Sequence, residues 1–174
     1  MIAAAIVCAA VMSQASTFKW NCAKVYEPGT ETKAGSGYVA YFIDSADYSF
    51  ANAQKAFAGD TVDLSFVETY GQAEKAFASG LANNTITESA GVDDTLTGYI
   101  VIINSTSIDD ATLAYLTPTE QTATIPGSGA GQTLKWTDLT ATQTASNWKA
   151  VPEPTSGLLL LLGVAGLALR RRRA

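Results

Sequence analysis

The sequence predicts an α+β fold, with a mostly β-sheet body and two short helices, flanked by an N-terminal signal peptide and a short C-terminal apolar helix. Three observations lead there. Runs of β-branched and aromatic residues at strand length recur between Tyr38 and Trp136. Only two segments of the body space their apolar residues as one helical face. Both chain ends are apolar, whereas the charged residues other than the terminal arginines lie between them.

Ser36-Gly37 precedes the first predicted strand, Tyr38–Ile43, and Asp44–Tyr48 reads as the turn that ends it. Ser49 is placed to cap a helix bearing Phe50, Ala53 and Phe57, stopped by Gly59. Thr69 is placed to cap a second, bearing Tyr70, Ala73 and Phe77 and stopped by Gly80; Thr69 with Gln72 fits a capping box. The two units are near-copies: Ala53-Gln54-Lys55-Ala56-Phe57-Ala58 returns as Ala73-Glu74-Lys75-Ala76-Phe77-Ala78. Two copies are too few for a solenoid, so they predict two short helices covering one sheet. Between them Val62, Leu64 and Phe66 alternate with polar neighbours as a half-buried strand does.

The polar stretch Leu81–Asp94 reads as a loop. Tyr99–Ile103 is the most apolar run of the body and predicts a central strand. Ala111–Thr117, Thr122–Ile125 and Gln132–Trp136 predict later strands, separated by Pro118 and by the glycine-rich stretch Pro126–Gly131. Residues 140–150 are threonine-rich and read as a linker. The expected organisation is a signal peptide over 1–15, a secreted α+β domain over 16–139, the linker, and a tail over 151–174.

Ile2–Met12 is an unbroken run of apolar and small residues. Ser13-Gln14-Ala15 then supplies small residues three and one positions before a cut between Ala15 and Ser16. No Lys or Arg precedes the run. At the other end, Val151-Pro152-Glu153-Pro154 is followed by a wholly apolar segment, 157–169, and then by Arg170, Arg171, Arg172 and Arg173. The prolines hold the first element extended. As a helix the 13 apolar residues would span about 20 Å. That is short of the roughly 20 residues needed to cross a bilayer core of about 30 Å. The arginines form a basic stop that stays cytoplasmic.

These three parts in this order resemble the PEP-CTERM sorting signal, a tail also known as the ice-binding protein C-terminal domain. The resemblance is limited to about residues 151–174. It implies recognition by an exosortase-like membrane processing enzyme that cuts near Pro-Glu-Pro, transit through the inner membrane held by the apolar segment, and delivery to the cell surface or an exopolysaccharide matrix. It implies nothing about the chemistry of the body.

The composition removes several classes of function. With no histidine, Ser-His-Asp and Cys-His catalysis and most zinc sites are excluded. Residues 16–150 carry 15 acidic side chains against 7 lysines, a net charge of −8, which repels nucleic acid. No metal site and no cofactor is expected. Asp44, Asp47, Asp60, Asp63 and Glu68 are carboxylates by type only for a glycosidase-like reaction. Asp93-Asp94 and Asp109-Asp110 lack calcium-loop spacing and read as turns. Loss of Cys8 with the leader leaves Cys22 without an internal partner, either as a buried thiol or paired between chains. Thr140, Thr142 and Thr144 would share one face of a strand, Thr122 and Thr124 repeat the spacing, and Trp136 or Trp148, if exposed, would suit sugar stacking. The expectation is an exported, non-enzymatic envelope or matrix protein with a structural or adhesive body. The alternatives are a polysaccharide- or ice-binding module and a carboxylate-based hydrolase.

Overall fold

The computed structural model of the chain describes residues 15–89, 93–125 and 131–152. The expected leader up to residue 14, residues 126–130 of the glycine-rich turn, and the tail from Glu153 onward, including the apolar segment and the arginines, lie outside the described residues.

Among the described residues, nine strands and two short helices build three layers. The strands are β1 (Ala15–Cys22), β2 (Val39–Asp44), β3 (Gln72–Ala76), β4 (Ala82–Ser89), β5 (Thr95–Ile103), β6 (Leu113–Leu116), β7 (Gln121–Thr124), β8 (Gln132–Trp136) and β9 (Lys149–Ala150). Helices α1 (Phe50–Ala56) and α2 (Ser65–Tyr70) lie between β2 and β3. The central sheet runs β3-β2-β5-β6-β9, with β7 also on β5, and a second sheet runs β4-β1-β8. The fold is thus mostly β with two short helices, the predicted class.

Alternation along β2 and β5 explains the layering. Ala40, Phe42, Ile100 and Ile102 face the second sheet and meet Phe18, Trp20, Leu134 and Ile86 from it. Their neighbours Val39, Tyr41, Ile43, Tyr99, Val101 and Ile103 face the other way, onto Ala53, Phe57, Phe66 and Val67 of the helical side. A strand covered on both faces must be apolar throughout. Both strands are paired antiparallel over their full overlap, from Val39↔Ile103 to Asp44↔Gly98.

Gly98 is required by this pairing. A Cβ placed there would lie 2.2 Å from Cζ of Phe42 and 2.6 Å from the Ile43 carbonyl. The phenyl ring fills the space a side chain would need.

Several local expectations are corrected. The predicted second helix over Tyr70–Phe77 is instead the end of α2 followed by strand β3. Its near-copy at 53–58 is helical only as far as Ala56, with Ser49 Oγ accepting the Asn52 N–H as the cap. So short a helix has little intrinsic stability, and the open edge of β2 offers residues 72–76 a better set of hydrogen bonds. Both phenylalanines of the repeat are still buried, Phe57 beneath the helices and Phe77 between the sheets. Gly80 is a hairpin residue: Ser79 and Gly80 both have positive φ, 51° and 76°, inside the Ala78–Leu81 pair. Val62, Leu64 and Phe66 are buried as expected, yet they belong to an irregular approach and the first turn of α2.

The expected loop at 81–94 contains β4, which pairs with β1 from Ala15↔Ser89 to Cys22↔Ala82. Only Ala82 and Ile86 need be apolar there, because the outward Asn83, Thr85 and Thr87 are exposed. The expected linker at 140–150 is packed structure. Two 3-10 turns (Thr140–Gln143, Ala145–Asn147) lead into β9, with Thr142 and Trp148 buried. Thr142 Oγ accepts the Tyr26 N–H at 2.8 Å and donates to Leu139 O at 2.6 Å; its carbonyl accepts the Trp148 indole N–H at 2.8 Å.

Cys22 is buried between the sheets, and desolvation pushes its thiol up to about 12. Burial, then the Glu74 carboxylate, raises the Tyr41 phenol to about 12, and burial raises Tyr99 further. In the unfolded chain these groups lose protons near their ordinary values of 9.0 and 10.0. The folded state therefore keeps protons that the unfolded state releases, and stability falls as pH rises.

Gly98→Ala should cost about 1–3 kcal/mol in urea unfolding through overpacking, whereas Gly37→Ala, with nothing within 4 Å of its added Cβ, should be neutral. Thr142→Val should cost roughly 1–3 kcal/mol by leaving the Tyr26 amide without its acceptor, whereas the Leu139 carbonyl keeps the Thr142 N–H at 3.0 Å. Thermal stability should decline as pH rises from 9.0 toward about 12, and native Cys22 should resist a thiol reagent at pH 8 until the chain unfolds.

Candidate functional site

The structure fixes the point at which body gives way to tail. β9 pairs antiparallel with β6 through Ala114↔Lys149 and Leu113↔Ala150. On its other side Ala150 bridges Thr61 in parallel. The Ala150 carbonyl accepts the Val62 N–H at 2.9 Å, the Ala150 N–H donates to Asp60 O at 3.3 Å, and the Val151 N–H donates to Thr112 O at 2.9 Å. Val151 is half-buried against the helical-side core. Pro152, which has no N–H to pair, is exposed.

Of the expected sorting motif, Val151 and Pro152 therefore stand on the folded surface with no free linker before them. Glu153, Pro154 and the basic stop Arg170–Arg173 lie outside the described residues. Sequence reasoning missed the other half of this clamp, Asp60-Thr61-Val62 and Thr112. Nothing in their composition marks them, since only their backbone groups are used. The other expected processing point, between Ala15 and Ser16, falls at the start of β1, where Ala15 pairs with Ser89. A cut there leaves Ser16–Cys22 to form the strand.

A concavity of about 220 Å³ adjoins the junction, lined by Asp63, Leu64, Ser65, Glu68, Ile108, Asp109, Val151 and Pro152. Two of the carboxylates expected by type, Asp63 and Glu68, thus line one concavity beside the tail, as does Asp109. It continues into a hollow of about 380 Å³ that shares Glu68, Ile108 and Asp109 and adds Tyr41 and Glu74. Asp93 and Asp109-Asp110 sit in turns, and Asp94 lies just before β5. Among the described residues no three acidic or thiol side chains are grouped to hold a metal ion, and no helix is long and apolar enough to cross a membrane.

The threonine and tryptophan expectations are corrected. Thr140, Thr142 and Thr144 are not on a strand, and Thr142 faces inward. Trp136 and Trp148 are each 4% exposed and spend their indole N–H groups on Thr119 O and Thr142 O. Both are core residues, unable to stack on a sugar. Thr122 and Thr124 do lie on β7, opposite Thr97 and Thr95, with 2.8 Å between the hydroxyls of Thr97 and Thr122. That makes only two rungs.

An aromatic feature that sequence reasoning missed lies on the helical side. Tyr48 stacks on Phe66 at 4.7 Å and 19° and on Tyr70 at 5.6 Å and 24°. The four-residue spacing of Phe66 and Tyr70 on α2 is its one sequence signal.

The family model of the PEP-CTERM protein-sorting motif matches residues 150–173. The match begins at Ala150, the residue clamped between β6 and Thr61, and covers the three-part tail. Comparison with curated proteins and with solved structures finds no match. The chain carries a PEP-CTERM sorting motif, a signal processed by an exosortase, and that motif marks it for export and membrane passage toward a surface or extracellular destination.

Proposed function

We propose that the chain is an envelope or extracellular-matrix protein with a structural or adhesive, non-catalytic body. Its leader is removed between Ala15 and Ser16. An exosortase-type enzyme then acts at Val151-Pro152-Glu153-Pro154 while the apolar segment 157–169 and Arg170–Arg173 hold the tail in the inner membrane.

The observation that supports this most is that the matched motif begins at Ala150, within the clamp of Ala150 and Val151 that ends the described body. Trp148 and β9 close the described body as the matched motif begins, so a cut beyond Pro152 leaves every described residue of the body in place. A non-catalytic body is further supported by the lack of histidine. Its net charge of −8 suits a soluble surface module.

Expression of the precursor in one host with an exosortase and one without tests the reading by intact mass and fractionation. The tail should be trimmed and the body released only where the enzyme is present. Replacing Pro152, Glu153 and Pro154 together by alanine should abolish trimming without altering the melting temperature. A tail that stays intact and embedded in both hosts contradicts the proposal.

A further inference from the structure

The stacked rings of the helical layer form a column with one end in the core and the other in solvent. Phe57 meets Phe66 edge-on at 6.4 Å and 81°, Tyr48 lies parallel on Phe66, and Tyr70 lies parallel on Tyr48. Phe66 is 6% exposed and Tyr70 38%. Among the described residues Tyr70 is one of two large apolar side chains left exposed, the other being Leu81. The column is held from below, because the Tyr99 hydroxyl donates to the Tyr48 carbonyl at 3.0 Å.

Polar groups converge on the same place. Tyr48, Phe66 and Tyr70 line an open hollow of about 390 Å³ together with Asp63, Ser65 and Thr69. Asp63 Oδ1 accepts the Ser65 N–H at 2.9 Å, and the Thr69 hydroxyl donates to Ser65 O at 2.8 Å, so the backbone of α2 orients both side chains. A rigid aromatic platform beside a few oriented hydroxyl and carboxylate groups, at this volume, has the composition of a small-ligand site. A tyrosine ring offers an apolar face and a polar edge. A pyranose ring presents the complement, an apolar C–H face rimmed by hydroxyls.

We propose that this hollow is a subsite for a sugar ring of an uncharged polysaccharide. Tyr70 stacks beneath the ring, and Asp63, Ser65 and Thr69 hydrogen-bond its hydroxyls. Charge selects the ligand class: Asp63 lines the hollow, Glu68 and Asp109 lie in the adjoining concavity, and the body carries −8. Uronate polymers are repelled by such a surface. The inference goes beyond the sorting reading and stands on residues of the body alone.

Affinity electrophoresis of the full chain in mild non-ionic detergent tests it, with laminarin, dextran, galactomannan or hydroxyethylcellulose in the gel and alginate as the anionic control. At least one neutral polymer should retard the chain and alginate should not. Tyr70→Ala should weaken that retardation roughly ten-fold, Tyr70→Trp should keep it, and Asp63→Asn should weaken it with an unchanged melting temperature. Leu81→Ser should leave it intact. No retardation by any neutral polymer, equal retardation of Tyr70→Ala, loss on Leu81→Ser, or a preference for alginate would each overturn the proposal. Tail processing is read separately by mass, so failure here and failure of the sorting reading are distinguishable.

Discussion

Burial of the central sheet on both faces is the constraint from which the rest of the architecture follows. β2 and β5 carry apolar side chains to either side, so each face needs a cover. One cover is the β4-β1-β8 sheet, whose outward residues are polar enough to meet water. The other is the helical layer, too short to be stable alone and held by Ala53, Phe57, Phe66 and Val67. Recruitment of both covers draws in the two ends of the body. β1, immediately after the expected leader cut, is the middle strand of its sheet, and Trp148 completes the core between the sheets just before the tail.

The parts of the fold that were legible are those where this double burial wrote a continuous apolar run. Tyr38–Ile43 and Tyr99–Ile103 mark β2 and the buried half of β5, and Gln132–Trp136 matches β8. Strands with one wet face were harder to see. β4 has only Ala82 and Ile86 to show, and its polar residues imitate a loop. β1 does alternate, with Phe18, Trp20 and Cys22 inward, but it begins where the leader was expected to end. The repeated Ala-x-Lys-Ala-Phe-Ala pattern is the plainest case of context deciding over local preference. One copy is mostly helix because Ser49 caps it, and the other is mostly strand because the edge of β2 lies beside it.

The candidate sites divide in the same way. The tail was legible as far as its motif, because three chemically distinct parts follow in order and the family model matches them. Its attachment was not, since the clamp of Asp60, Thr61, Val62 and Thr112 uses main-chain groups that any residues would supply. Threonines at 140–144 resembled a linker because what fixes them is tertiary: Thr142 is saturated by Tyr26, Leu139 and Trp148. The aromatic residues suited to a ligand were the tyrosines of the helical side, whose role depends on a loop and a helix meeting.

The body and the sorting signal thus abut. The matched motif begins at Ala150, and Ala150 and Val151 are held by main-chain hydrogen bonds of the folded body rather than set on a free linker. This is the central claim, and native-state hydrogen exchange of the full chain, read at single amides, tests it directly. The amides of Val62, Ala150 and Val151 should be protected together, as one cooperative unit with β6. Exchange of Ala150 and Val151 at the rate of an unstructured peptide, while β6 stays protected, would show a free linker and contradict the claim.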